Sequence, residues 1–190
     1  MKTLSKSDHE SLQRAIAAAE KRTNTHLALV VVPVSDRYHM YPLAYGALLA
    51  LGSAGTLALL WPQLLLRTAF VAQAVIFAVF SIIFDWLPLR LRLVPGSIRR
   101  ARARNFARRE FGARIASTQR GGLLLFVSVG ERYVELLADR ELHARVGQQA
   151  WDRIVGDLAS SARRGQLHDS LQEAINACSD AIQAPTQEPA

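Results

Sequence analysis

Three acids and a histidine hold most of the chemical promise of this 190-residue chain. Asp139, Glu141 and His143 follow one apolar run that reads as a strand, and Asp36 follows another. Hard divalent cations take several carboxylate or carbonyl oxygens, and loops at strand ends are a common place for ligands. Asp36, Asp139 and Glu141 are therefore the candidate ligands for a metal such as Ca²⁺, Mg²⁺ or Zn²⁺, meeting at one sheet edge if the first two strands are parallel. The plainer use of the same acids is to solvate a turn or cap the following helix, and it is favoured.

Other chemistry is sparse. His9, His26, His39, His143 and His168 show no HxH, HExxH or CxxC spacing, which argues against a strong zinc site. There is no Gly-rich phosphate loop, no GxSxG elbow and no obvious base for the lone Cys178. Ser128 falls inside a strand pattern, Trp151 falls at a core spacing, and Glu131-Arg132 reads as a turn ion pair of small energy. No catalytic residue is assigned.

The element around which the rest must be arranged is the stretch from Leu43 to Leu87. It holds two apolar runs of about twenty residues, the length an α-helix needs to cross a bilayer, broken at Trp61-Pro62-Gln63. Its one interior charge, Arg67, lies near the break, where a long side chain reaches the interface. Tyr41, Tyr45, Trp61 and Trp86 lie near the ends of the runs, at the level of an aromatic belt. Gly46, Gly52, Ser53 and Gly55 are small enough for close helix contact, though such residues are also ordinary in transmembrane helices. The expectation is a transmembrane helical hairpin.

Charge orients it. Between Pro88 and Arg120 stand Arg90, Arg92, Arg99, Arg100, Arg102, Arg104, Arg108, Arg109, Arg114 and Arg120 against one acid, Glu110. A basic block that begins at the end of a membrane span suits anionic lipid headgroups better than nucleic acid. The first eight of these arginines, Arg90 to Arg109, are the candidate membrane-surface residues. Positive flanks stay cytoplasmic, so both termini and the polar remainder are expected on the cytoplasmic side of the inner membrane. Residues 1–26 are polar, without the apolar core of a signal peptide. A single cysteine fits a reducing compartment.

The polar remainder alternates helix and strand. Ser7 with Glu10 three residues on forms a capping box for an amphipathic helix over 8–22, with Leu12, Ile16 and Ala19 inward. Residues 27–34 form a strand whose continuous apolar run suits burial on both faces. After Pro95-Gly96 a helix over 97–117 carries the stripe Ala103, Ala107, Phe111 and Ile115, and Gly121-Gly122 breaks it. LLLFVSV over 123–129 and residues 133–137 read as two antiparallel strands about a Gly130-Glu131-Arg132 turn. Helices over 147–163 and from His168 or Asp169 complete the pattern, and the tail 184–190 should fray. The long crossover between the first two strands makes them parallel.

The segment Arg120 to Glu135, RGGLLLFVSVGERYVE, resembles the TPM domain family, and the likeness runs on through Asp139, Trp151, Ile154, Val155 and Gly165 to Leu171. It covers about residues 99–183 and, more loosely, 8–36. The resemblance implies a small α/β domain, and for some members a weak acid phosphatase activity or divalent-metal binding through acidic loops. This chain departs from the pattern: Asp139-Arg140-Glu141 stands where such members carry a Gly-x-Gly turn. The family's acidic site therefore does not transfer intact.

The expected architecture is an α/β domain with a small mixed sheet, flanking helices and an inserted two-helix transmembrane hairpin. Residues 1–42 supply the first helix and strand, 43–87 the hairpin, and 88–183 the remainder. The function expected is that of a non-catalytic binding or scaffolding module with a membrane-protein partner. The alternative is a weak divalent-metal-dependent phosphatase.

Overall fold

The structure is a computed structural model that describes residues 5–36, 38, 40–60, 63, 66–85, 94–115 and 121–184. Among the expectations above, those on Arg90, Arg92, Arg120, His39, Trp61, Trp86 and the tail from Pro185 lie outside the described residues. The chain divides into two compact units, one of Met1–Ser35 with Arg100–Ala190 and one of Asp36–Arg99.

The first unit is built on a three-stranded mixed sheet of β1 (His26–Val32), β2 (Gly122–Ser128) and β3 (Tyr133–Ala138), with β2 in the centre. β1 and β2 are parallel from His26↔Gly122 to Val32↔Ser128, as the long crossover between them requires. β2 and β3 are antiparallel from Leu123↔Ala138 to Ser128↔Tyr133. Side chains alternate between faces along a strand, so the apolar run LLLFV feeds two cores at once. Leu123, Leu125 and Val127 join Leu27 on one face, while Leu124 and Phe126 join Ala28 and Val30 on the other.

The first face is covered by α1 (Lys6–Thr23), α5 (Arg140–Val146), α6 (Gln148–Arg163) and α7 (Leu167–Gln183). Leu12, Trp151, Ile154, Leu158, Leu171 and Ile175 are among the side chains they bury there. Each such large apolar side chain contributes about 1.5–3 kcal/mol by leaving water. The second face is covered by α4 (Gly96–Arg114) through Ala103 and Ala107, with Ile115 just beyond its end. The small alanines let the helix approach the sheet, and Phe106 stacks against Phe126 with ring centroids 5.7 Å apart.

Several local expectations need correction. The capping box of α1 uses Ser5 and Asp8 rather than Ser7 and Glu10: Asp8 Oδ2 accepts from Ser5 N–H at 2.8 Å, and Ser5 Oγ accepts from Ser7 N–H at 3.2 Å. The Ser-x-x-acid pattern occurs at both places, and the earlier start adds backbone hydrogen bonds such as His9 N–H to Ser5 O at 3.1 Å. β1 is covered on both faces yet is an edge strand, so Leu29, Val31 and Val32 stay half-buried. Only β2 is buried along its whole length. The expected turn at Asp139-Arg140-Glu141 is instead the start of α5, a seven-residue helix too short to show a sequence period.

Gly122 has a packing role beyond ending a helix. A Cβ there would lie 2.1 Å from Ile115 Cγ2, so only glycine lets Ile115 press on the start of β2.

The second unit holds α2 (Met40–Leu60) and α3 (Leu66–Asp85), packed on each other as an antiparallel pair. Gly46 marks the close approach: a Cβ there would sit 2.9 Å from Ser81 Oγ. Gly52 and Gly55 meet nothing within 4 Å. Among the described residues one stretch, Arg67–Phe84, is long and apolar enough to cross a membrane, and Leu43–Leu57 is apolar but shorter.

Candidate functional site

The topology divides the expected metal cluster. β3 runs antiparallel to β2, so its end, where Asp139 and Glu141 follow, lies beside the start of β1 and β2. Asp36 follows Ser35, which is held at the opposite end of the sheet by Glu131. Six residue pairs, Leu123↔Ala138 to Ser128↔Tyr133, separate the two ends, roughly 17 Å at about 3.3 Å per residue. Among the described residues no group of three or more His, Cys, Asp or Glu side chains is arranged to hold a metal ion.

Asp139 is occupied by the backbone. Its Oδ1 accepts from Leu142 N–H at 2.8 Å, capping α5, and its Oδ2 accepts from Gly122 N–H at 2.7 Å, closing the β2–β3 ladder. Glu141 and His143 lie exposed on α5. The capping use foreseen for these acids is the one the geometry displays for Asp139.

At the other sheet end Glu131 turns inward. It is only 7% exposed and accepts from Ser35 N–H at 3.1 Å, from Ser35 Oγ at 2.5 Å and from Ser128 Oγ. A buried carboxylate is costly unless hydrogen-bonded, and this one fastens the chain leaving β1 to the β2–β3 turn. The turn itself places Arg132 in the left-handed region, at φ 52°, with its side chain exposed.

Beside this turn lies a cavity of about 550 Å³. Val127, Val129, Val134, Ala159, Ala162 and Leu167 give it apolar walls, and Arg132 and Arg163 line it as well. It sits at the carboxyl end of the parallel pair β1–β2, where α/β sheets commonly place ligands. Sequence inspection missed it because its walls come from β2, the β2–β3 turn, β3 and the α6–α7 junction. Its legible signals were Gly130 and Gly165 at the two junctions.

A second cluster was also missed. On the α4 face, the Tyr133 hydroxyl, the Arg104 guanidinium and the Glu135 carboxyl act on one another electrostatically. Burial pushes the Glu135 carboxyl above its ordinary range, against the lowering effect of Tyr133, Arg104 and Arg108. Burial also raises the Tyr133 hydroxyl, and the Tyr133 contact raises Arg104. Glu135 Oε2 is buried without a hydrogen-bond partner.

Ser11, His168 and Asp169 form a chain of contacts: Ser11 Oγ to His168 Nε2 at 2.7 Å, and His168 Nδ1 to Asp169 Oδ1 at 3.0 Å. The order matches a nucleophile–base–acid relay, but Ser11 Oγ already donates to Asp8 O at 2.8 Å. A hydroxyl has one proton, so donation to Asp8 O takes from His168 the proton that a general base would accept. The contact ties α7 to α1.

Of the candidate membrane-surface arginines, Arg100, Arg102, Arg104, Arg108 and Arg109 are exposed on α4, and Arg99 is partly buried. Arg104 is shared with the Tyr133 cluster. The remaining acid of this stretch, Glu110, accepts from Arg114 Nε at 2.7 Å.

No family model and no curated protein matches the chain. Among solved structures it is similar to the NMR structure of BA42 protein from the psychrophilic bacterium Bizionia argentinensis. The two are 12% identical over 99% of this chain and 88% of that one, with a TM-score of 0.57. At that identity the likeness shows the fold alone: a small α/β arrangement with a three-stranded mixed sheet.

Proposed function

We propose that this chain is a membrane-anchored α/β module that binds a membrane-protein partner and carries no catalysis of its own. In this reading α2 and α3 cross the inner membrane as a hairpin, and the first unit lies on the cytoplasmic side. The observation that supports it is the distribution of exposed apolar side chains. Among the described residues every exposed large hydrophobic, fourteen in all, lies between Met40 and Ile83. Phe70 is 71% exposed, Ile82 75% and Leu59 85%. Apolar surface of that extent marks a membrane or an interaction face.

The arginines of α4 fit the same reading. α4 follows the hairpin in sequence, and its outward side offers Arg100, Arg102, Arg108 and Arg109 to anionic headgroups, each worth about 1 kcal/mol near such a surface. The resemblance to the TPM domain family supports a small domain presented at a membrane. The division of Asp36 from Asp139 and Glu141 weighs against the metal-dependent phosphatase.

Cysteine labelling tests the topology. In a Cys178→Ala background, Gln63→Cys should react with a membrane-impermeant maleimide added to intact cells. Ser160→Cys should react only after the inner membrane is permeabilised. Extraction of the protein by alkaline carbonate, or the reverse labelling pattern, would overturn the reading.

A further inference from the structure

We propose that the 550 Å³ cavity at the β2–β3 turn binds a small soluble anion with an apolar body, its carboxylate or phosphate held by Arg132 and Arg163. The volume lies within the range of small-molecule sites, roughly 300–1,000 Å³. Its lining is mostly valine, alanine and leucine, with Ser128 and Tyr133 beside them, and the apolar share favours a hydrocarbon or aromatic body.

The charge comes from side chains alone. Val129 N–H donates to Val32 O at 3.0 Å and Gly130 N–H to Pro33 O at 2.8 Å, so the turn's backbone donors are spent on the sheet. Gly165 N–H donates to Ala162 O at 3.1 Å on the opposite wall. Ser128 Oγ, also on the lining, donates to Glu131. The charged groups left to meet a polar ligand are the two guanidiniums, and among the described residues no Asp or Glu lines the cavity to neutralise them. Two arginines without a lining acid fit a carboxylate or phosphate, which guanidinium binds through paired N–H donors. An apolar ligand without charge would leave that complementarity unused.

The sequence separates the contributors by about thirty residues, Arg132 on the β2–β3 turn and Arg163 at the end of α6. Both belong to the first unit. Glu131 steadies the Arg132 side by fixing the turn to Ser35 and Ser128. The cavity therefore has a fastened wall.

The test is a methyl NMR titration of the full chain in zwitterionic nanodiscs, with naphthalene-2-carboxylate as the probe. Naphthalene-2-carboxamide supplies the neutral body and acetate the charge alone. Shifts at Val127, Val129, Val134 and Leu167 with the carboxylate, at least tenfold weaker with the carboxamide and absent with acetate, are expected. Arg132→Gln and Arg163→Gln, both at exposed positions, should each weaken the carboxylate about tenfold while leaving the other methyl signals in place. Equal binding of the carboxamide, or no shift with the carboxylate, would overturn the proposal. So would the same shifts produced by anionic lipid in the nanodisc without added probe, which would assign the cavity to the bilayer.

Discussion

Asp139 Oδ2 accepts the backbone N–H of Gly122 at 2.7 Å, while its other oxygen takes Leu142 N–H at 2.8 Å. One carboxylate thus closes a strand pair and starts a helix. In Asp139→Asn an amide N–H₂ must face one of these two N–H donors. The loss expected is about 1–2 kcal/mol, read from chemical denaturation of the purified chain. Millimolar Mg²⁺ or Ca²⁺ should leave the melting temperature of both proteins unchanged. A cation-dependent rise confined to the parent protein would return Asp139 to the role of metal ligand.

Gly122 and Ile115 form a second tight pair. A methyl group at residue 122 would stand 2.1 Å from Ile115 Cγ2, so Gly122→Ala should destabilise by about 2 kcal/mol through overpacking. Trimming the partner in Gly122→Ala/Ile115→Ala removes the colliding Cγ2 and should recover part of the loss. A double-mutant cycle in stability reads the coupling; strict additivity would refute the collision.

Glu135 gives the chain a pH dependence with a definite sign. Burial raises its carboxyl above the unfolded value of about 4.3, despite Tyr133 and the arginines. The folded protein therefore holds this proton more tightly than the unfolded chain does. The associated stability is fully present below the unfolded value and is lost as pH rises through the higher folded one. Glu135→Gln, which keeps the shape without the charge, should flatten that part of the stability profile measured between about pH 4 and pH 7.

Cys178 is fully buried in the core on the first face of the sheet, and burial pushes its thiol up to about 12. The thiolate is the reactive form, so the native chain should resist a maleimide at pH 8 and react once denatured. Cys178→Ser places a hydroxyl in that apolar site and should cost about 1–3 kcal/mol, whereas Cys178→Ala should cost less.

Much of this architecture can be read along the chain, because local periodicity declares itself locally. The stripe Leu171, Ala174, Ile175, Cys178 and Ile182 fixes which side of α7 is inward, and each of the five is buried. Ala103 and Ala107 do the same for α4, and the run LLLFV identifies a strand with two covered faces. The parallel pairing of β1 with β2 follows from the length of the crossover between them. Short elements give less signal: α5 has seven residues, less than two turns beyond its cap, and Asp139 looks the same in a turn as at an N-cap.

What the sequence by itself determined is the longer elements, their inward faces and the two apolar helices between Ser35 and Arg100. Each depends on spacing within about twenty residues. Which side chains meet was decided only by the tertiary structure. The antiparallel return of β3 carried Asp139 and Glu141 to the sheet end opposite Ser35, dividing acids that chain order alone allowed to converge. The same return set Tyr133 and Glu135 beneath Arg104 and brought Arg132 and Arg163 to one cavity. Strand direction is a property of pairing between distant segments, and a one-dimensional pattern of apolar and polar residues does not contain it.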